Sequence, residues 1–461
     1  MPTANYNHNY SSINNDDTYS AANNNSINAV LTETSSLFLT ETVASSLYNE
    51  ADIIYDETPG ATLKSASINL ANTILGTGML AMPAALACVG IIPGIILIFY
   101  AGLTSALGLY FLSRCAEKVG GRNTSFSSLS KMTWPRLGIF FDMAIAVKCF
   151  GVAVSYLIIL GDLMPQVVRS FFDQAENNQL LMDRKFWISL FMFTMIAPLS
   201  YLRRLDSLKY TSLIALFAVA YLVVIVVYHY VSPNFPAPPP ESIEYVHFST
   251  KIFGQLPVFI FAFTCHQNIF SVYNEVKDNR EKSIVKVISG SIGSAAVIYE
   301  VVALLGYLSF GKDVLGNIIL EYPQTYFVAY GRLAIVILVI FSYPLQAHPC
   351  RASIKKILFD EVKYRELTSS QRRKRHAIVT TCIIILSFLV SISISQLDLV
   401  LAFVGSTGST TISFILPGLF YWKMYSEKKW HWKRMIAVFL VFYGLLVMTI
   451  CLTFNFKRLM T

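Results

Sequence analysis

Two stretches of the chain set small and polar residues in the middle of long apolar runs, where they can do chemistry only if the backbone around them is freed. The first reads Asn69-Leu70-Ala71-Asn72-Thr73-Ile74-Leu75-Gly76-Thr77-Gly78-Met79, with Pro83 following. Glycine inside a helix costs up to about 1 kcal/mol relative to alanine, and proline about 3 kcal/mol. Two glycines one residue apart, flanked by hydroxyls and an asparagine, therefore read as a break. A half-helix restarting after Gly78 would present free N–H groups, which form a ready anion site. The second stretch is Phe263-Thr264-Cys265-His266-Gln267-Asn268, with Ser271 and Tyr273 beyond it. Such a polar run is costly inside an apolar segment unless it faces a cavity or other protein. Taken alone, Gly76-Thr77-Gly78 also reads as a helix-packing stripe, and His266 as a satisfied buried histidine. The lone G-x-G follows no strand and lacks a third glycine, so it is no nucleotide fingerprint.

The elements that must position these stretches follow from composition. Of 461 residues, 54% are hydrophobic and 14% charged, against about 45–50% and about 25% in soluble domains. The mean hydropathy is +0.52. Apolar runs near 65–89, 92–113, 138–165, 186–202, 208–231, 252–272, 286–309, 328–349, 377–396, 398–422 and 435–455 each approach the roughly 20 residues a membrane helix needs. The sequence predicts an all-α integral membrane protein of about eleven transmembrane helices embedded in a lipid bilayer. Most of the 36 Lys and Arg fall on one side if the amino terminus is cytosolic, including Arg114, Lys118, Arg122, Lys277, Arg280, Arg372–Arg375 and Lys423–Arg434. That asymmetry places the carboxyl terminus outside or in an organelle lumen. It also accounts for the net charge of +8 without nucleic acid. Arg332 counts with the outer loops, and Lys148 stands alone inside a span.

Residues 1–60 are rich in Asn, Ser, Thr and acids. They form no signal peptide and are expected to be a disordered cytosolic tail, leaving 61–461 as the transmembrane domain. The seven cysteines show no metal-ligand spacing. No H-E-x-x-H, G-x-S-x-G or P-loop occurs, so neither an enzyme nor a cofactor is expected. A break in the first span and another in the sixth fits two inverted five-helix repeats plus one extra helix.

Several motifs in order carry a family resemblance. They are Asn72–Pro83, Phe150-Gly-Val-Ala-Val-Ser-Tyr156-Leu-Ile-Ile-Leu-Gly161-Asp162, Cys265-His-Gln-Asn-Ile-Phe270, Gly306-Tyr-Leu-Ser-Phe-Gly311, and Val404-Gly-Ser-Thr-Gly-Ser-Thr-Thr-Ile-Ser-Phe-Ile-Leu-Pro417-Gly. Over about 61–455 the chain resembles the amino acid/auxin permease family, and within it the fungal vacuolar transporters. The resemblance implies a leucine-transporter-like fold with alternating access and an amino acid held at the membrane midplane. Its carboxylate would meet the N–H groups of Gly76, Thr77 and Gly78, and its ammonium the carbonyls near Asn72, Thr73 and Ile74 and near Phe263, Thr264 and Cys265. Span three near Val154–Ile158 and span ten near Gly405, Ser406 and Thr407 would line the pocket. For a coupling ion, sodium-coupled relatives imply Asn72 and, in span eight, Ser342. Proton coupling would need a titratable group, with His266, Glu300 and Lys148 as candidates and Asp162 and Glu275 near span ends. The resemblance does not account for an acid at Glu300.

The expected function is export of amino acids from the vacuole lumen to the cytosol, coupled to protons. Three other readings stay open: a sodium-coupled importer of the plasma membrane, a transporter of another small metabolite, and a non-transporting sensor that signals through residues 1–60.

Overall fold

A computed structural model describes residues 60–460 except 203–210, 234, 236, 237, 248, 360–363, 365, 366 and 428–430. The expected tail therefore lies outside the described residues apart from Gly60. The elements are helices throughout: α1 Leu63–Ile74, α2 Gly78–Ala87, α3 Ile91–Val119, α4 Phe126–Thr133, α5 Leu137–Phe171, α6 Arg184–Phe191, α7 Ala197–Ser200 and α8 Thr211–Val231. There follow α9 Ile252–Ala262, α10 Ile269–Glu275, α11 Glu281–Phe310, α12 Tyr326–Leu358, α13 Ser369–Ser393, α14 Leu397–Val404, α15 Leu416–Met424 and α16 Trp432–Met460.

Among the described residues nine helices are long and apolar enough to cross a membrane, and α1 with α2, bent by 61°, makes a tenth. The run expected at 186–202 is α6 and α7 joined by a π turn at Met192–Ile196. Its buried residues Ile188, Met192, Ile196 and Ser200 recur every fourth position along one face. Local chemistry starts the helices. Thr62 Oγ1 accepts from Ser65 N–H at the head of α1, and Ser125 and Thr368 each form reciprocal caps at α4 and α13.

Three spans make the centre. The apolar window of Ile252–Glu275 is 94% buried and those of Gly138–Phe171 and Leu397–Met424 are 78% buried, against 28% for Trp432–Met460. Span eleven therefore lies at the periphery, facing lipid. The central spans meet through glycine. A Cβ on Gly405 would run into the Pro257 carbonyl of α9, and one on Gly408 would lie 2.7 Å from the Ala144 carbonyl of α5. Span ten, expected as a plain helix, widens there into π turns at Gly405–Ser409 and Thr411–Ile415.

Arg332 also departs from expectation. It is not a loop residue but sits fully buried inside α12. Its guanidinium donates to the Ile319 and Tyr322 carbonyls at 3.2 and 2.6 Å and to Gln324 Oε1 at 3.0 Å. Five donors in a rigid fork suit that concentration of acceptors.

On the basic face, the beginnings of span one and the end of span six are laced together. Ala61 N–H donates to Glu275 O (3.2 Å) and Lys277 N–H to Ala61 O (2.9 Å). Arg122 donates to the carbonyls of Asn274, Val276 and Lys277 at 3.1, 2.6 and 2.9 Å. Both broken spans are thus held at one face by the same strap.

Overpacking a tight helix contact costs about 1–3 kcal/mol, so Gly405→Ala is expected to lower the thermal midpoint of the purified protein by several degrees. Gly293→Ala, with nothing within 4 Å of the added carbon, is expected to leave it unchanged or raise it. Thermal unfolding in detergent reads both, and equal midpoints would show that the close approach is relaxed elsewhere.

Candidate functional site

The first break is an interruption of hydrogen bonding. Leu75 N–H closes the last bond of α1 on Ala71 O, and α2 resumes with Met79 and Leu80 N–H on Gly76 and Thr77 O at 3.1 and 3.2 Å. The N–H groups of Gly76, Thr77 and Gly78 therefore open the second half-helix, and its dipole favours an anion there. Gly78 must be small, because a Cβ would lie 2.9 Å from that of Ala262. The two broken spans touch at this point.

The second break separates α9 from α10. Phe263 (φ −89°, ψ 7°) and Cys265 (φ −125°, ψ 11°) leave the helix, and His266–Asn268 form a single tight turn. Side chains from four spans take up the exposed backbone and fix the polar run. Ser105 of α3 donates to Phe263 O at 2.7 Å. The fully buried His266 ring spans Ser105 O (3.1 Å at Nε2) and Ser413 Oγ (3.1 Å at Nδ1). A carbonyl only accepts, so Nε2 carries the proton and a neutral ring takes the Ser413 hydroxyl at Nδ1. Gly108 leaves the room for this ring, since a Cβ there would sit 2.7 Å from Nε2. Asn268 Nδ2 donates to Thr73 Oγ1 at 2.8 Å, tying the second break to the first.

One residue joins both breaks. Tyr299 of α11, wholly buried, places its hydroxyl 2.6 Å from Ile74 O and 3.0 Å from Ala262 O, the last carbonyls of α1 and α9. A phenol has one proton for two carbonyls, so one of the two helix ends keeps an acceptor available at any moment. Acceptors are in surplus nearby as well. Asn72 Oδ1, Gln267 Oε1 and Asn268 Oδ1 at the breaks, and Glu300 Oε1 on α11, are buried with no hydrogen-bond partner among the described residues. A buried polar atom without a partner costs about 1–3 kcal/mol, so this region is built to receive donors or a cation.

The sequence candidates are distributed unevenly around this centre. Thr73, Ile74, Gly76, Gly78, Thr264, Cys265 and His266 lie in or against the two breaks. Lys148 is buried on α5 with its backbone against Gly408. It makes no hydrogen bond or ion pair among the described residues. Ser406 and Thr407 are in the span-ten π turn, but their hydroxyls bond the Ala402 and Phe403 carbonyls at 2.7 and 2.6 Å, so their role is to shape that turn. Ser342 is buried on α12, facing Tyr156, which also meets Gln346. Thr77 is buried at the head of α2, and Glu300 neighbours Tyr299. Four partners escaped the sequence reading: Tyr299, Ser105, Ser413 and the Asn268–Thr73 link. Asn268 stood inside the polar run that marked the break. The other three look like ordinary residues of apolar helices.

The comparisons with known proteins agree with this geometry. The model of the family described as transmembrane amino acid transporter protein matches residues 59–456. The chain belongs to the amino acid/auxin permease family. It is 43% identical to vacuolar amino acid transporter 5 of Schizosaccharomyces pombe over 86% of this chain and 94% of that one. It is 38% identical to vacuolar amino acid transporter 6 of Saccharomyces cerevisiae, covering 86% and 99%. The sodium-coupled neutral amino acid transporter 7 of Danio rerio is 27% identical over 86% of each chain. Among solved structures, MhsT in complex with L-phenylalanine superposes with a TM-score of 0.54 at 13% identity, covering 86% of this chain and 99% of that one. That likeness shows the leucine-transporter-like fold that the family resemblance implied.

Removing the Tyr299 hydroxyl takes the one donor shared by the Ile74 and Ala262 carbonyls, at about 1–3 kcal/mol for a group left unsatisfied. Tyr299→Phe is expected to lower both the thermal midpoint and the rate of amino acid uptake severalfold in proteoliposomes. Uptake equal to wild type would show that the hydroxyl does not hold the breaks.

Proposed function

We propose that this protein is a secondary active transporter that moves amino acids from a vacuolar lumen to the cytosol by alternating access, driven by protons. The observation that carries the reading is the pair of intramembrane helix breaks joined through Tyr299. Opposed helix ends supply what a zwitterion needs, N–H donors for its carboxylate and carbonyls for its ammonium. The carboxylate would sit on the N–H groups of Gly76, Thr77 and Gly78. The ammonium would take Asn72 Oδ1, the carbonyls of Thr73 and Ile74, and those of Phe263, Thr264 and Cys265. The vacuolar assignment rests on the names of the fungal relatives. The topology, with the amino terminus cytosolic and the carboxyl terminus lumenal, rests on the basic loops.

Glu300 is the preferred proton carrier. One of its oxygens is buried without a hydrogen-bond partner among the described residues, and it is next in sequence to the residue that touches both breaks. Protonation would remove the charge that this buried oxygen otherwise carries without a partner. His266 is a weaker candidate because both ring nitrogens are already engaged. Lys148 is buried beside Gly408 and makes no hydrogen bond or ion pair among the described residues.

The test is uptake into liposomes holding the purified protein, with a panel of labelled amino acids and an imposed pH gradient, with and without sodium. Accumulation of one class that collapses with a protonophore is expected. Glu300→Gln is expected to abolish gradient-driven accumulation while keeping exchange of internal for external substrate. Accumulation that requires sodium would reject proton coupling and move attention to Asn72 and Ser342. Binding without any flux would reject transport in favour of a sensor.

A further inference from the structure

A second site lies away from the breaks, at the basic face between spans two, ten and eleven. A cavity of about 90 Å³ there is lined by Arg114, Tyr421, Tyr425, His431, Lys433 and Arg434. Among the described residues no carboxylate lines it. Tyr421 and Tyr425 stack with ring centroids 4.5 Å apart and form one wall, and the Tyr425 hydroxyl donates to Arg114 O at 3.0 Å. His431 Nδ1 accepts from Lys433 N–H at 3.3 Å, which leaves Nε2 to carry a proton.

The surrounding charges hold this lining in place. Arg114 pairs with Glu281 at 2.9 Å and with Glu117. Lys433 donates to Tyr110 at 2.6 Å and lies 3.9 Å from Glu281. Lys118 reaches Met424 O at 2.6 Å and Glu427 at 3.7 Å. Arg434 donates to Trp422 O at 3.1 Å. Arg114, Lys118 and Lys433 thus meet three carboxylates, all of which stand outside the cavity wall, while Arg434 is held by a carbonyl. The depth is interfacial. Arg434 stacks over Trp422 at 5.1 Å and Lys433 over Trp432 at 5.7 Å, the aromatic girdle expected where headgroups lie.

We propose that this cavity binds the phosphomonoester headgroup of an anionic membrane lipid. A doubly charged phosphate with three acceptor oxygens matches an arginine fork and a lysine better than a singly charged carboxylate does. A basic pocket between helix ends at this face suits a headgroup whose chains stay in the bilayer. The occupied site would clamp spans two, ten and eleven together at one face, and it is independent of the substrate reading.

The full-length protein in detergent is titrated with four probes: short-chain phosphatidylinositol monophosphate, short-chain phosphatidylinositol, soluble inositol monophosphate and inorganic phosphate. Tryptophan fluorescence and thermal midpoint are read. The phosphorylated lipid is expected to raise the midpoint and to bind about tenfold or more tightly than phosphatidylinositol, with affinity falling as salt rises. Lys433→Gln combined with Arg434→Gln is expected to lose about tenfold or more of that affinity. Lys433→Arg is expected to retain it, and so is Lys423→Gln, which stacks on Trp134 outside the cavity. Equal binding of the two lipids would overturn the phosphate requirement. Unchanged affinity in the double variant would overturn the location. Soluble inositol monophosphate or inorganic phosphate binding as tightly as the lipid would overturn the membrane source. Should the double variant fail to fold, His431→Gln and Arg434→Lys on the wild-type background must each weaken the phosphorylated lipid, and no effect from either overturns the proposal.

Discussion

Everything in this fold turns on backbone that is not helical in a place where lipid offers it no partner. An unsatisfied N–H or carbonyl in hydrocarbon costs several kcal/mol, so two breaks near the membrane centre survive only inside a shell of protein that answers them. The shell is specific. Tyr299 serves the ends of α1 and α9, Ser105 serves Phe263 O, and Asn268 bonds Thr73. What remains unanswered is a set of acceptors, and an amino acid's ammonium or a coupling cation is the kind of group that can answer it.

The other spans are arranged around that requirement. Spans three, six and ten are the most buried, and they approach closely because Gly405 and Gly408 carry no side chain. The π turns of span ten let its helix bulge past α9 and bring Ser413 to His266. At the basic face the bridge at Ala61 and the Arg122 clamp tie the start of span one to the end of span six. A motion that opens the breaks to that face must undo this strap, whereas the centre can stay intact.

Much of this was legible in the residues. Apolar length located the spans, and Gly76-Thr77-Gly78 with the polar run at 264–268 located both breaks, because glycine and buried polar groups carry their own energetic signature. Span ten was read as a plain helix although Gly405-Ser406-Thr407-Gly408-Ser409 held the signal for its widening. Small and hydroxyl residues mark close packing as readily as an irregular turn, so the sequence alone does not separate the two. Tyr299 was invisible for another reason. An aromatic residue in an apolar run reads as core, and only the arrangement of α11 across both breaks gives its hydroxyl a task. Arg332 was counted with the outer loops although it falls within the apolar run 328–349. The carbonyls of Ile319, Tyr322 and Gln324 that satisfy it are supplied by the chain folding back.

The central claim is that the two breaks hold the transported amino acid. It is tested most directly by a density map of the protein in a lipid nanodisc, saturated with an amino acid that it carries. The account predicts a carboxylate within about 3 Å of the Thr77 and Gly78 N–H groups, with the ammonium against the carbonyls at the ends of α1 and α9. Ligand density elsewhere, with these backbone groups bridged only by Tyr299 and water, would contradict it.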